Sequence, residues 1–125
     1  MPNLNLNVKI FPFFDSVKTP LTSDGTSDSF GNNGYDNLTL EVSGDGSGVF
    51  AVQGCVNTLN ADGNPLDDED CAWTTLAVIN ANSYSKATSI GANGIYYVGV
   101  HGVSRIRVAA TSVSGTKTIV GAFNK

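Results

Sequence analysis

Charge is what this sequence has least of. Asp, Glu, Lys and Arg make up only 14% of its 125 residues, well under the usual quarter. The basic residues Lys9, Lys18, Lys86, Arg105, Arg107, Lys117 and Lys125 are scattered. No basic stripe exists to neutralise a phosphate backbone, which argues against nucleic acid as a partner. A net charge of -4 makes an anionic membrane surface an equally poor one. No apolar run has the ~20 residues of a membrane-spanning helix. The start, MPNLNLNVK, has no basic segment followed by an apolar one, so it does not read as a secretory signal. There is one histidine, His101, placed before Gly102 at a turn. A Ser–His–Asp or Cys–His site would have to use it, yet no nucleophile elbow or catalytic-cysteine signature accompanies it. The two cysteines, Cys55 and Cys71, form no CxxC motif and lack the further Cys or His of a zinc site.

Gly, Ser, Thr and Asn fill the place of the missing charge, and they suit a protein with many turns. Hydrophobic content is 41%, enough for a packed core in a single domain spanning 1–125. Residues 4–14 begin with strict alternation: Leu4, Leu6, Val8 and Ile10 share one face, Asn5, Asn7 and Lys9 the other. Pro12 cannot donate to a ladder, so this strand lies at an edge or ends there. Residues 15–37 are rich in Ser, Asp, Gly and Asn and read as an extended arm or surface loop, pinned by Phe30 and Tyr35. The expected division is therefore an N-terminal strand and arm, 1–37, and a sandwich core, 38–125. Leu38, Leu40 and Val42 alternate inward. Glycines at 44, 46 and 48 predict a tight turn, and residues 49–56 its hairpin partner. Further strands are expected at 73–79, more weakly at 83–90, and in three C-terminal runs from Ile95 onward. The total is about eight short strands and no helix. The fold class is all-β, an antiparallel β-sandwich of jelly-roll-like type, with a closed barrel as the alternative.

Four features could carry chemistry. The loop 60–70 offers oxygen ligands for calcium in Asp62, Asn64, Asp67, Asp68, Glu69 and Asp70. The EF-hand pattern fails there, because Pro65 stands in the sharp-turn position and Cys71 where a bidentate Glu belongs, and a solvated acidic loop is the simpler reading. Arg105 and Arg107 alternate with Ile106 and Val108, so both face one side. They either solubilise that face or meet carboxylates across a subunit interface. Trp73 is expected to cap the core, and one of Tyr96 and Tyr97 to point outward. Cys55 and Cys71 flank the acidic loop on strands that can pair. They are either free thiols or a disulfide, which would stabilise by about 3 kcal/mol in the chain-entropy model. Eleven acids lie mostly in loops, without the opposed pair that glycoside hydrolysis needs. The chain is expected not to be an enzyme.

The runs NLTLEVSG (37–44), VFAVQG (49–54), WTTL (73–76), GIYYVGVHG (94–102), SRIRV (104–108) and SGTKTIVG (114–121) together resemble small bacteriophage virion structural proteins. These are β-sandwich accessory proteins of the capsid-decoration or head-fibre type. The resemblance covers about residues 37–123 and leaves out the acidic insert between the cysteines. It implies a non-enzymatic virion component, made in the host bacterial cytoplasm and acting by multivalent docking to capsid or other virion proteins. A homo-oligomer, a trimer, is expected. Its interface candidates are Leu4, Leu6, Val8, Ile10, Phe13, Phe14, Arg105 and Arg107. A carbohydrate-binding module using exposed aromatics is the competing function.

Overall fold

In the computed structural model, residues 9–14 are described as backbone and residues 23–124 in full. Leu4, Leu6 and Val8 lie outside the described residues. The described chain forms strands and one 3-10 turn. Six strands are long: β1 (Lys9–Phe14), β4 (Asn37–Gly44), β5 (Ser47–Cys55), β9 (Gly94–Gly99), β10 (Arg105–Ser114) and β11 (Lys117–Asn124). Five are two- or three-residue segments: β2 (Gly25–Thr26), β3 (Phe30–Gly31), β6 (Thr74–Thr75), β7 (Val78–Asn80) and β8 (Lys86–Ala87). One sheet has the order β1-β11-β4-β9-β7-β8. The other has the order β2-β10-β5-β6, with β3 also on β10. Every pairing is antiparallel.

The alternation read from the sequence becomes the core. Leu38, Leu40 and Val42 of β4 turn inward beside Tyr96 and Val98 of β9 and Ile119 and Phe123 of β11. Phe50 and Val52 of β5, with Ile106, Val108 and Ala110 of β10, close on them from the second sheet. Burying a side chain of this size contributes about 1.5–3 kcal/mol, so this layer is the main source of stability. It fixes the outward direction of every alternate residue.

The expected hairpin between β4 and β5 does not form. β4 pairs with β11 and β9, whereas β5 pairs with β10 and β6. The turn at Gly44–Gly46 is an arch that carries the chain from one sheet to the other. The turn between β10 and β11 is a second such arch, stacked on the first. A Cβ on Gly46 would stand 1.8 Å from the Ser114 carbonyl oxygen, and Gly46 has φ +79. Lys117 is buried at this corner and donates from Nζ to the Gly46 carbonyl and to Asn93 Oδ1. Hairpins and arches share one inward alternation, so the sequence pattern could not separate them. From β4 on, consecutive long strands thus switch sheets, which makes the sandwich jelly-roll-like.

Two other expectations shift. The single strand at 73–79 divides into β6 in one sheet and β7 in the other, with Leu76 N–H donating to the Val52 carbonyl between them. The strand at 83–90 shortens to Lys86–Ala87, after which Ile90 bridges to Phe50 of the opposite sheet. β1 is an edge strand, in keeping with Pro12, and its register slips between Pro12 and Phe14. Within the stretch read as an arm, 25–31 lies along β10 instead. Ser27 is buried there, and its Oγ accepts the Val108 N–H. Tyr35 stacks on Phe123 at 5.9 Å, and Phe30 packs against the core.

Candidate interaction face

The outward residues of the six-stranded sheet follow from its register. One row runs Lys86, Ile79, Tyr97, Thr39, Ala122 across β8, β7, β9, β4 and β11. The next runs Ile95, Glu41, Val120. Ile79, Ile95 and Tyr97 are exposed at 39%, 44% and 44%, an apolar group flanked by one cation and one anion. Tyr96 is buried at 6%, so one of the two tyrosines points in and the other out, as expected. Shallow depressions of about 460 and 420 Å³ lie beside the group, one lined by Ile79, Lys86 and Tyr97, the other by Ile95, Asn80 and Asn93. Large exposed apolar side chains gathered in one place mark interaction sites more often than scattered ones do.

The outer side of the second sheet is built differently. Arg105 and Arg107 do share one face, but each has partners within the chain. Arg107 lies 4.2 Å over the Trp73 ring and donates from Nε to Gln53 Oε1. Trp73 is half-buried outside the core, not a cap on it, and its indole N–H donates to the Asp68 carbonyl. Arg105 donates to the Leu66 carbonyl, to Asp68 Oδ1 at 3.2 Å and to Cys71 Sγ at 3.3 Å. Both guanidiniums are therefore engaged without a second subunit.

The acidic loop is divided by the same contacts. Asp62 and Asn64 sit in a turn organised by Asn60, whose Oδ1 accepts from both backbone N–H groups. Asp68 is held by Arg105 and Ser29. Asp67, Glu69 and Asp70 remain exposed with carboxylate oxygens within 4.8 Å of one another. The six oxygen ligands named from the sequence thus fall into three separate groups.

Cys55 and Cys71 are brought together at the end of the β5–β6 pairing, and a hydrogen bond joins their side chains. They are buried free thiols. Burial, and then a hydrogen bond with Cys71, push the Cys55 thiol up to about 11. His101 is on an exposed turn, with Nδ1 2.6 Å from Asp36 Oδ1. No hydroxyl or thiol completes a catalytic triad with them among the hydrogen bonds of the described residues. Asn32 had no distinctive sequence signal beyond loop composition. Its side chain ties the Tyr35, Val100 and Val103 carbonyls together and accepts the Tyr35 N–H.

This sandwich has counterparts in prophage proteins. The crystal structure of SPBc2 prophage-derived protein YomS matches with a TM-score of 0.74 at 18% identity, over 95% of this chain and 94% of that one. The crystal structure of PBSX exported protein XepA matches with a TM-score of 0.71 at 16% identity, over 94% of this chain and 38% of that one. At these identities the likeness is one of fold. No protein-family model matches the chain, and no curated protein matches it in sequence. The same architecture accounts for nearly all of YomS and for a part of the longer XepA.

Proposed function

We propose that this chain is a non-enzymatic accessory component of a bacteriophage particle, decorating a capsid or forming part of a head appendage. It docks on other virion proteins as a homo-oligomer, a trimer, and gains affinity from several weak contacts made at once. The observation that carries this reading is the near end-to-end match with the prophage-derived protein YomS. The apolar group of Ile79, Ile95 and Tyr97 supports docking, and so does the position of β1 at a sheet edge, which invites strand pairing with a second copy. Ile10, Phe13 and Phe14 lie on that edge strand.

A carbohydrate-binding role has less support. Sugar platforms set an open aromatic face among polar groups, whereas Tyr97 has aliphatic neighbours and Arg107 covers a face of Trp73, which leaves Tyr84, exposed at 77% between Ser83 and Ser85, to carry such a role. The test is fractionation of purified phage particles on a density gradient, with the chain followed by antibody. Co-sedimentation with particles through a high-salt wash is expected. Recovery only at the top of the gradient, together with specific signals on a glycan array, would overturn the proposal. Light scattering is expected to give three times the monomer mass, and a monomer at tens of micromolar would remove the multivalent mechanism.

A further inference from the structure

The cysteine pair lies outside the docking reading and stands independently of it. Cys55 ends β5, and Cys71 follows the 3-10 turn Asp68–Asp70. Between them runs the acidic loop, and Arg105 bonds it at Leu66, Asp68 and Cys71. The two sulfurs are not equivalent. Both are buried, Cys55 at 4% and Cys71 at 8% exposure, but the Cys71 sulfur accepts from the Arg105 guanidinium, whereas Cys55 bonds to Cys71 and meets Arg105 through its backbone. A cation on a sulfur favours the negative charge that the sulfur carries when it attacks.

We propose that Cys71, Cys55 and Arg105 form a thiol–disulfide exchange site that locks the acidic loop to the sandwich. Its substrate is a small-molecule disulfide. Cys71, as thiolate, attacks one sulfur of that molecule, giving a mixed disulfide on Cys71 and releasing one small thiol. Cys55 then loses its proton to solvent and attacks Cys71 Sγ, releasing the second small thiol. In total two cysteine thiols are oxidised to one disulfide and one small disulfide is reduced to two thiols. Arg105 is a positioning residue that holds the loop and the Cys71 sulfur in place. In a reducing cytoplasm the pair stays open, and it closes in oxidising surroundings. Closure fixes the exposed carboxylates of Asp67, Glu69 and Asp70 at one place on the surface.

Reduced, full-length protein treated with cystamine tests this by intact mass and peptide mapping. Wild type is expected to lose two hydrogens and keep no adduct. Cys55→Ser is expected to collect a cysteamine adduct on Cys71. Cys71→Ser is expected to react at Cys55 about tenfold more slowly or less. Arg105→Gln is expected to slow the Cys71 adduct about tenfold, with partial rescue by Arg105→Lys. If Arg105 only held the loop shut, its loss would expose Cys71 and speed the reaction, so the sign separates the roles. Two free thiols in treated wild type, equal rates at the two cysteines, or a faster reaction in Arg105→Gln would each overturn the proposal.

Discussion

The two outer faces of this sandwich solve the same problem in opposite ways. On β10, Arg105 and Arg107 alternate with buried Ile106 and Val108. On β9, Ile95 and Tyr97 alternate with buried Tyr96 and Val98. On the β10 side the chain supplies its own cover. Trp73, Gln53 and the acidic loop fold back over the arginines. On the β9 side no described segment does so, and Ile79, Ile95 and Tyr97 stay exposed together, whereas β5 of the other sheet leaves Val49 exposed. A face with its own partners contributes to stability, whereas an uncovered apolar face contributes mainly when something binds it. This contrast gives a physical reason to look for docking on the six-stranded sheet rather than at the arginines.

The largest perturbation should remove both faces together, because they share one core. Leu40→Ala, at a fully buried position of β4, is expected to cost about 2–5 kcal/mol in urea unfolding. A cost below 1 kcal/mol would mean that the two sheets do not pack as described. Gly46→Ala comes next, at about 3 kcal/mol, since the new Cβ meets backbone that cannot move aside and φ is positive. It breaks the arch that sends β4 and β5 to different sheets, and an unchanged melting temperature would argue for a hairpin there.

The covered face is sharpened by Trp73→Ala. It is expected to destabilise by about 2 kcal/mol, through lost packing and the lost bond to Asp68. In a double-mutant cycle with Arg107→Ala, about 0.5–1 kcal/mol of that should couple to the guanidinium. Zero coupling would leave the stacked geometry without energetic weight. On the open face, Ile79→Thr and Tyr97→Ser are expected to change stability by no more than about 0.5 kcal/mol, while lowering the oligomer mass seen by light scattering. If they destabilise as strongly as Trp73→Ala, the face is structural and the contrast fails.

The smallest effect is a titration. Cys55 has an ordinary value of 9.0 and is raised to about 11 in the folded chain. Between these values the unfolded chain gives up its proton and the folded chain keeps it. The contribution to stability is therefore whole below 9 and lost as pH rises through 11. Under reducing conditions, the melting temperature of wild type should fall more steeply over that window than that of Cys55→Ser. Parallel curves would show that the buried thiol is not coupled to folding.

Much of this was legible in the chain. Alternation at Leu38, Leu40 and Val42 fixed which side of β4 is buried, because a strand has a period of two and only one face meets the core. The same rule put one of Tyr96 and Tyr97 outside, which the structure shows to be Tyr97, and set Arg105 and Arg107 on a common face. Pro12 marked an edge strand because it has no N–H to give. The spacing of Cys55 and Cys71 around a loop between pairing strands brought the sulfurs together. What tertiary structure alone decided was the sheet each strand joins. A glycine-rich turn between two alternating strands serves a hairpin within a sheet or an arch between sheets, and the inward residues are the same in both. The choice depends on which distant backbone meets each strand: β4 finds β11 and β9, and β5 finds β10. Distance along the chain hid the partners of the arginines for the same reason. Asp68 lies 37 residues from Arg105 and Gln53 lies 54 from Arg107, and nothing local in a sequence records that they meet.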